Sequence, residues 1–219
     1  MFRTRSAVLF DLDGTLVDSA ADLTASVNHV LAEDSFADLA LEEVLQMVGD
    51  GAPLLLRRAF RRYDAELPAD ALERFRAHYD AHCLDTTHPY PGIVELLRQL
   101  AAEGRAVAVV TNKPTPFAER MVEGLDLGPL VQAVVGPELA SRRKPAPEHV
   151  LAALERLGKP PAEAVMIGDG TTDVLAGRSA ATATIAVLWG YRSREQLTAS
   201  APDRFVETVP ELTELLVAR

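Results

Sequence analysis

Ala-Val-Leu-Phe-Asp-Leu-Asp-Gly-Thr-Leu-Val-Asp-Ser, residues 7–19, is the stretch from which the rest of the chain can be read. Ala7 to Leu12 is a short, mainly apolar run of the kind expected of a parallel strand buried on both faces. It carries Asp11 and leads into Asp13, Gly14 and Thr15. Alternate side chains of an extended chain share a side, so Asp11 and Asp13 point the same way. Two carboxylates that close repel, and one pKa rises unless a cation intervenes. A hard divalent ion is the natural remedy, and oxygen-only ligands with room for water suit Mg²⁺.

Outward from this stretch, similar runs recur at Ala106 to Val110, Ala164 to Ile167 and Thr184 to Leu188, with a weaker one at Val131 to Val135. Helical spacing separates them: Ile93 to Glu103 stopped by Gly104, Pro116 to Leu125, and Pro147 to Leu157 ended by Gly158. Strands alternating with such helices imply βαβ units and a doubly wound, Rossmann-like α/β sheet, parallel and covered on both faces. From Ser19 to about His88 no strand-like run occurs. Leu41 to Val48, Ala52 to Tyr63 and Ala69 to His82 read as helices, Pro53 and Pro68 lying near their starts. The expected organisation is an α/β core of residues 1–17 and 89–219 and an inserted all-helical cap of residues 18–88.

Ligands of open parallel sheets bind at the carboxyl ends of the strands. There the chain places Asp11 and Asp13, then Thr111-Asn112-Lys113, then Lys144-Pro145, and after the 164–167 run Gly168-Asp169-Gly170-Thr171-Thr172-Asp173. Any one of these reads equally as a turn or a helix cap. All of them in order, each at a strand end, exceed what turn chemistry explains. No GxxxxGK[ST] loop, no GxGxxG after the first strand and no GxSxG elbow is present.

Composition bounds the partners. The 219 residues carry a net charge of −10, which argues against a nucleic-acid or anionic-membrane surface and leaves room for a small phosphorylated molecule. The single Cys83 can form no internal disulfide. No segment reads as a signal peptide or a membrane helix, so a cytoplasmic protein is expected, monomeric or homodimeric.

DLDGT, TNK, KP and GDGTTD resemble the four motifs of the haloacid dehalogenase-like hydrolase superfamily, in the phosphatase branch with a helical cap after the first motif. Within it the chain is most similar to phosphoglycolate phosphatases, through DLDGTLVDSAADL at 11–23, MVGDGA at 47–52, HYDAH at 78–82, PYPGI at 89–93, VTNKP at 110–114, RKPAPE at 143–148 and WGY at 189–191. The resemblance implies a Mg²⁺-dependent phosphomonoester hydrolase working through an aspartyl-phosphate. Asp11 would be the nucleophile and Asp13 the general acid and base. Asp11, Asp169 and the Asp13 backbone carbonyl would bind the metal. Thr111 and the Asn112 amide would hold the phosphoryl oxygens, Lys144 would neutralise the intermediate, and Asp173 would orient Lys144 or a metal-bound water.

The resemblance implies 2-phosphoglycolate as substrate, beside other small metabolites such as N-acetylmuramate 6-phosphate or pyrophosphate. A cap arginine, Arg57, is the candidate for the substrate carboxylate. Departures from the pattern are Gly170 in place of a serine, Asp50 in the cap loop in place of asparagine, and Ser179-Ala180-Ala181-Thr182, which lacks the glycine that normally ends this helix.

Competing chemistries are narrowed by residues. A dehalogenase has no need of Asp13, and a phosphonatase needs a cap lysine where residues 18–88 contain none. A phosphomutase shares both acids. A phospho-accepting receiver domain uses similar groups but leaves the helical insert unexplained. His78, His82, Cys83 and His88 have zinc-like spacing, yet no second ligand pair accompanies them. Trp189 and Tyr191 read as packing or loop residues.

Overall fold

A computed structural model of the chain describes residues 2–217. Strand β1 (Ala7–Phe10) is followed by the two-residue β2 (Val17–Asp18), then by the helices α1 (Ala20–Glu33), α2 (Leu41–Leu45), α3 (Ala52–Arg61) and α4 (Ala71–His82). The chain returns through β3 (His88–Pro89), antiparallel to β2 with Val17 opposite Pro89 and Asp18 opposite His88. Beyond it helices and strands alternate: α5 (Ile93–Ala102), β4 (Ala106–Val110), α6 (Thr115–Gly124), β5 (Ala133–Val135), α7 (Glu148–Leu157), β6 (Ala164–Gly168), α8 (Thr171–Ser179), β7 (Ala183–Val187), α9 (Arg194–Thr198), β8 (Arg204–Val206) and α10 (Val209–Leu216).

The six-stranded sheet runs β5-β4-β1-β6-β7-β8, parallel throughout, with β1 between β4 and β6. In-register pairing puts like faces together. Val8 and Phe10 join Val107, Val109, Val165 and Ile167 against the apolar sides of α5, α6 and α10. Ala7 and Leu9 join Ala108, Val110, Ala164 and Met166 against α7 and α8. Burial on both faces is why these strands read as continuous apolar runs.

The helices between β2 and β3 have an apolar cluster of their own, which includes Val27, Leu31, Leu56, Phe60, Phe75 and Tyr79. Buried Asp22 of α1 ties the exit of the chain from the sheet to its return. It accepts hydrogen bonds from the N–H and hydroxyl of Thr86 (3.1 and 2.5 Å) and of Thr87 (2.9 and 2.7 Å). These bonds outweigh burial and hold its carboxyl below the ordinary range.

Several elements are shorter than their sequence patterns predict. β1 stops at Phe10, α2 at Leu45 and α3 at Arg61, and α4 starts at Ala71. The β2–β3 pair, β8 and the short α9 carry too few residues to show a period. Among the described residues no helix is long and apolar enough to cross a membrane.

The helix lacking its terminal glycine does end as a glycine would end it. Ala181 is left-handed at φ 59°. The N–H of Thr182 donates to Gly177 (3.0 Å) and that of Ala181 to Arg178 (3.0 Å), a Schellman closure. An alanine held there costs roughly 1–2 kcal/mol. Ala181→Gly is therefore expected to stabilise the protein by about 0.5–1 kcal/mol once glycine's extra unfolded-state freedom is subtracted. Urea unfolding of the two proteins measures it, and a destabilised variant would remove the strain account.

Candidate active site

Asp11 lies one residue past β1, Thr111 one past β4 and Asp169 one past β6, so the central strands deliver their ends to one place. Lys144 reaches the same place from the loop before α7, and its ammonium sits at the centre. Nζ is 2.9 Å from Asp11 Oδ1, 2.6 Å from Asp173 Oδ1 and 2.6 Å from the Val110 carbonyl, with the side chain only 1% exposed. Burial alone would lower the lysine pKa; Asp11 and Asp173 outweigh it and raise it.

One ammonium cannot balance the acids around it. Oxygens of Asp11, Asp169 and Asp173 lie within 4.8 Å of one another, a grouping that could hold a metal ion. Burial and then the charge of Asp173 push Asp11 up to about 8 and Asp169 up to about 7. Backbone restraint keeps this crowding in register. The Gly170 N–H donates to Asp173 Oδ2 (2.8 Å), and the Tyr191 N–H donates to Asp169 Oδ2 (2.8 Å). Gly14, at φ 79°, leaves no room for a side chain, because a Cβ there would stand 2.5 Å from Asp169 Oδ2.

Asp13 has separate partners. Lys113 Nζ lies 2.9 Å from each of its carboxylate oxygens, and the Ser19 hydroxyl donates to Oδ1 at 2.5 Å. The same ammonium lies 4.6 Å from the ring centre of Tyr79 on α4. The Tyr191 hydroxyl accepts from the Ser19 N–H (3.1 Å), so the loop after β7 supports both acidic stations.

These groups border a cavity of about 120 Å³, walled on one side by the strand ends and on the other by Leu55, Phe75 and Tyr79 from the helices between β2 and β3. At roughly 10–15 Å³ per water this is space for about ten waters, the scale of a small metabolite.

Of the residues singled out from sequence, Asp11, Asp13, Thr111, Asn112, Asp169 and Asp173 line the cavity and Lys144 lies against them. The Asp13 carboxylate stands outside the three-acid grouping. Asn112 Nδ2 donates to Gly49 (2.9 Å) and Lys144 (3.0 Å) carbonyls. Arg57 does not join them: the buried side of α3 is Leu55, Leu56, Ala59 and Phe60, and Arg57 points from the other side into solvent. Its neighbours Arg58 and Arg62 pair with Asp50 (2.5 Å) and Glu43 (3.0 Å), so the Asp50 charge is answered within the same helical segment.

Sequence reasoning missed Lys113, Ser19, Tyr191 and Arg192. Lys113 closes the quoted TNK motif and Ser19 the opening stretch, but neither gains a role in the site from sequence alone; Tyr191, which reads there as a packing or loop residue, and Arg192 lie in a loop with no period to read. The histidines take ordinary partners, His78 with Ser26 (2.9 Å) and His82 with Asp85 (2.8 Å), and Cys83 is buried.

The sequence profile of the haloacid dehalogenase-like hydrolases matches residues 8–187, which spans every strand end described above except that of β8. The chain belongs to this family. It is 43% identical over 197 residues to a phosphoglycolate phosphatase of Rhodospirillum rubrum, covering 86% of this chain and 81% of that one. To a phosphoglycolate phosphatase of Agrobacterium fabrum it is 38% identical over 218 residues, covering 96% and 94%. Among solved structures, a predicted phosphoglycolate phosphatase from Haemophilus somnus superposes with a TM-score of 0.88 at 27% identity, covering 97% and 98% of the two chains. A family hydrolase from Deinococcus radiodurans, solved with bound phosphate and sodium, superposes at 0.79 with 26% identity, covering 99% and 100%.

The raised carboxyls give a pH dependence with a definite sign. An acid whose pKa is higher folded than unfolded loses stability as pH climbs from its ordinary value through the raised one, here from about 4 to about 7–8. Between pH 6.5 and 8 the chelated protein should therefore soften. Added divalent cation should raise the melting temperature more at pH 8 than at pH 6, because bound protons compete with the cation. Equal gains at both pH values would contradict the shared-charge account.

Proposed function

We propose that this chain is a Mg²⁺-dependent phosphomonoester hydrolase whose substrate is 2-phosphoglycolate. The observation that carries the reading is the pair of acid stations two residues apart: Asp11 against Lys144 and the acids of the α8 loop, Asp13 against Lys113 and Ser19. Family membership and the names of relatives at 38% and 43% identity support it.

The donor set fits the metal. Three oxygen-bearing side chains crowd around a single ammonium, and burial with the charge of Asp173 raises the pKa of both Asp11 and Asp169, a deficit of positive charge that a small hard cation relieves. Asp11, Asp169 and the Asp13 backbone carbonyl would hold it, Asp173 keeping Lys144 in place. Bound Mg²⁺ would draw charge from the phosphoryl oxygens and fix their orientation.

The residues of the chain do the remaining work. Asp11 attacks phosphorus as the ester bond breaks, leaving an aspartyl-phosphate and an alkoxide. Asp13 protonates that alkoxide, then takes a proton from the water that attacks phosphorus and frees Asp11. Thr111 and the Asn112 N–H hold the phosphoryl oxygens, and Lys144 offsets the charge gathered on them. Residues 18–88 act as the cap that closes over the cavity and keeps bulk water from the intermediate.

Release of inorganic phosphate from 2-phosphoglycolate and a panel of small phosphoesters, with Mg²⁺ or with chelator, tests the reading. Hydrolysis should need Mg²⁺ and favour 2-phosphoglycolate. Asp11→Asn should fall to background, and Asp13→Asn should lose about 10²–10⁴-fold in kcat. Undiminished turnover by Asp11→Asn would sink the nucleophile assignment, and a broad substrate profile would overturn the substrate while leaving the chemistry.

A further inference from the structure

A substrate anionic at both ends needs a cation for the end away from phosphorus. Among the described residues three basic side chains line the cavity, Lys113, Arg192 and Arg76, with Lys144 packed behind its acids. Two are committed. Lys113 spans both oxygens of Asp13 at 2.9 Å and is buried. Arg192 gives its guanidinium to the backbone carbonyls of Leu45 (2.7 Å), Gln46 (3.4 Å) and Val48, tying the β7 loop to the segment between α2 and α3.

Arg76 is not committed. Among the described residues it makes no hydrogen bond and no ion pair, although it borders the cavity. The acid within its electrostatic reach, Glu138, already accepts from the N–H (2.9 Å) and hydroxyl (2.7 Å) of Thr115. The helix that carries Arg76 is fixed. On either side of it Phe75 and Tyr79 stack at 5.5 Å, and Tyr79 meets Phe117 of α6 edge-on at 5.5 Å. Asp80 of the same turn pairs with Arg120 at 2.7 Å. A rigid helix thus offers one long, exposed, unpaired guanidinium at an otherwise apolar wall.

We propose that Arg76 recognises the substrate carboxylate and makes the cavity selective for phosphoesters of short 2-hydroxy acids. The inference rests on the phosphoglycolate reading above. A guanidinium suits the task because its planar fork meets a carboxylate with two parallel charge-assisted hydrogen bonds. The wall of Leu55, Phe75, Tyr79 and Phe117 leaves the methylene between phosphate and carboxylate in apolar contact. Arg76 fills the role for which Arg57 is too far round α3.

The test compares kcat/KM for 2-phosphoglycolate and for ethyl phosphate, which has the same ester oxygen and a methyl in place of the carboxylate. The wild-type protein should favour 2-phosphoglycolate. Arg76→Gln should lower kcat/KM for 2-phosphoglycolate by about 10–100-fold, mainly through KM, the fold-change corresponding to loss of a charged hydrogen-bonded contact. Its ethyl phosphate hydrolysis should stay within about twofold, and Arg76→Lys should recover part of the loss. A purely structural or long-range steering role would move both substrates together, so parallel losses overturn the proposal, as does a wild-type preference that survives in Arg76→Gln. In that last case the phosphoglycolate reading stands. A wild-type protein with equal activity on both esters brings down the substrate reading and this inference together, and one that hydrolyses neither brings down the phosphatase reading as well.

Discussion

Lys144 is outnumbered. Its ammonium, nearly sealed from solvent, faces carboxylates of Asp11 and Asp173 at 2.9 and 2.6 Å, and Asp169 completes the grouping. Burying one such acid without compensation costs several kcal/mol, and burying three around a single cation is tolerable only with fixed dipoles and further positive charge. The sheet supplies the fixed part. β1, β4 and β6 are adjacent and parallel, so their ends cannot separate without breaking the ladder that binds them. The apolar faces beneath, from Phe10 and Ile167 to α5 and α6, hold the acids where their mutual repulsion alone would not.

The second structural theme is how the helices between β2 and β3 are fastened over this charge. Arg192, Arg143 and Asn112 donate to carbonyls of Leu45, Asp50 and Gly49, three side chains from strand-end loops reaching one short segment. Asn112 also donates to the Lys144 carbonyl, so the lysine loop and that segment share one amide. At the far end Asp22 gathers Thr86 and Thr87. These are hydrogen bonds to backbone, individually worth about 1 kcal/mol and more where charge assists. Together they hold the segment between α2 and α3 against the strand-end loops.

Much of the molecule was legible in one dimension. The long apolar runs that became β4, β6 and β7 and the spacing of α5, α6 and α7 survive almost to the residue, because burial on two faces and on one stripe are strong, local constraints. Asp11, Asp13 and Asp169 announced themselves by standing just past the β1 and β6 runs, whereas Lys144, nine residues beyond β5, showed only through its Lys-Pro motif in the loop before α7. What escaped lies where no period exists: the β2–β3 pair, the Tyr191–Arg192 loop, and the choice among arginines. Arg57 and Arg76 look alike in a sequence. A helix turns 100° per residue, so which of them faces inward depends on how each helix is rotated against its neighbours.

The sequence by itself determined the class of fold, the order of the strands' acidic and basic endings and the oxygen-rich character of the site, because residue type and period are properties of the chain. Tertiary structure alone decided the pairings: Lys113 with Asp13 rather than with solvent, Asp173 beside Lys144, Asp50 answered by Arg58, and Arg76 unpaired at the cavity wall. Charge interactions fall off with distance and with access to water, and neither quantity exists until the chain has folded.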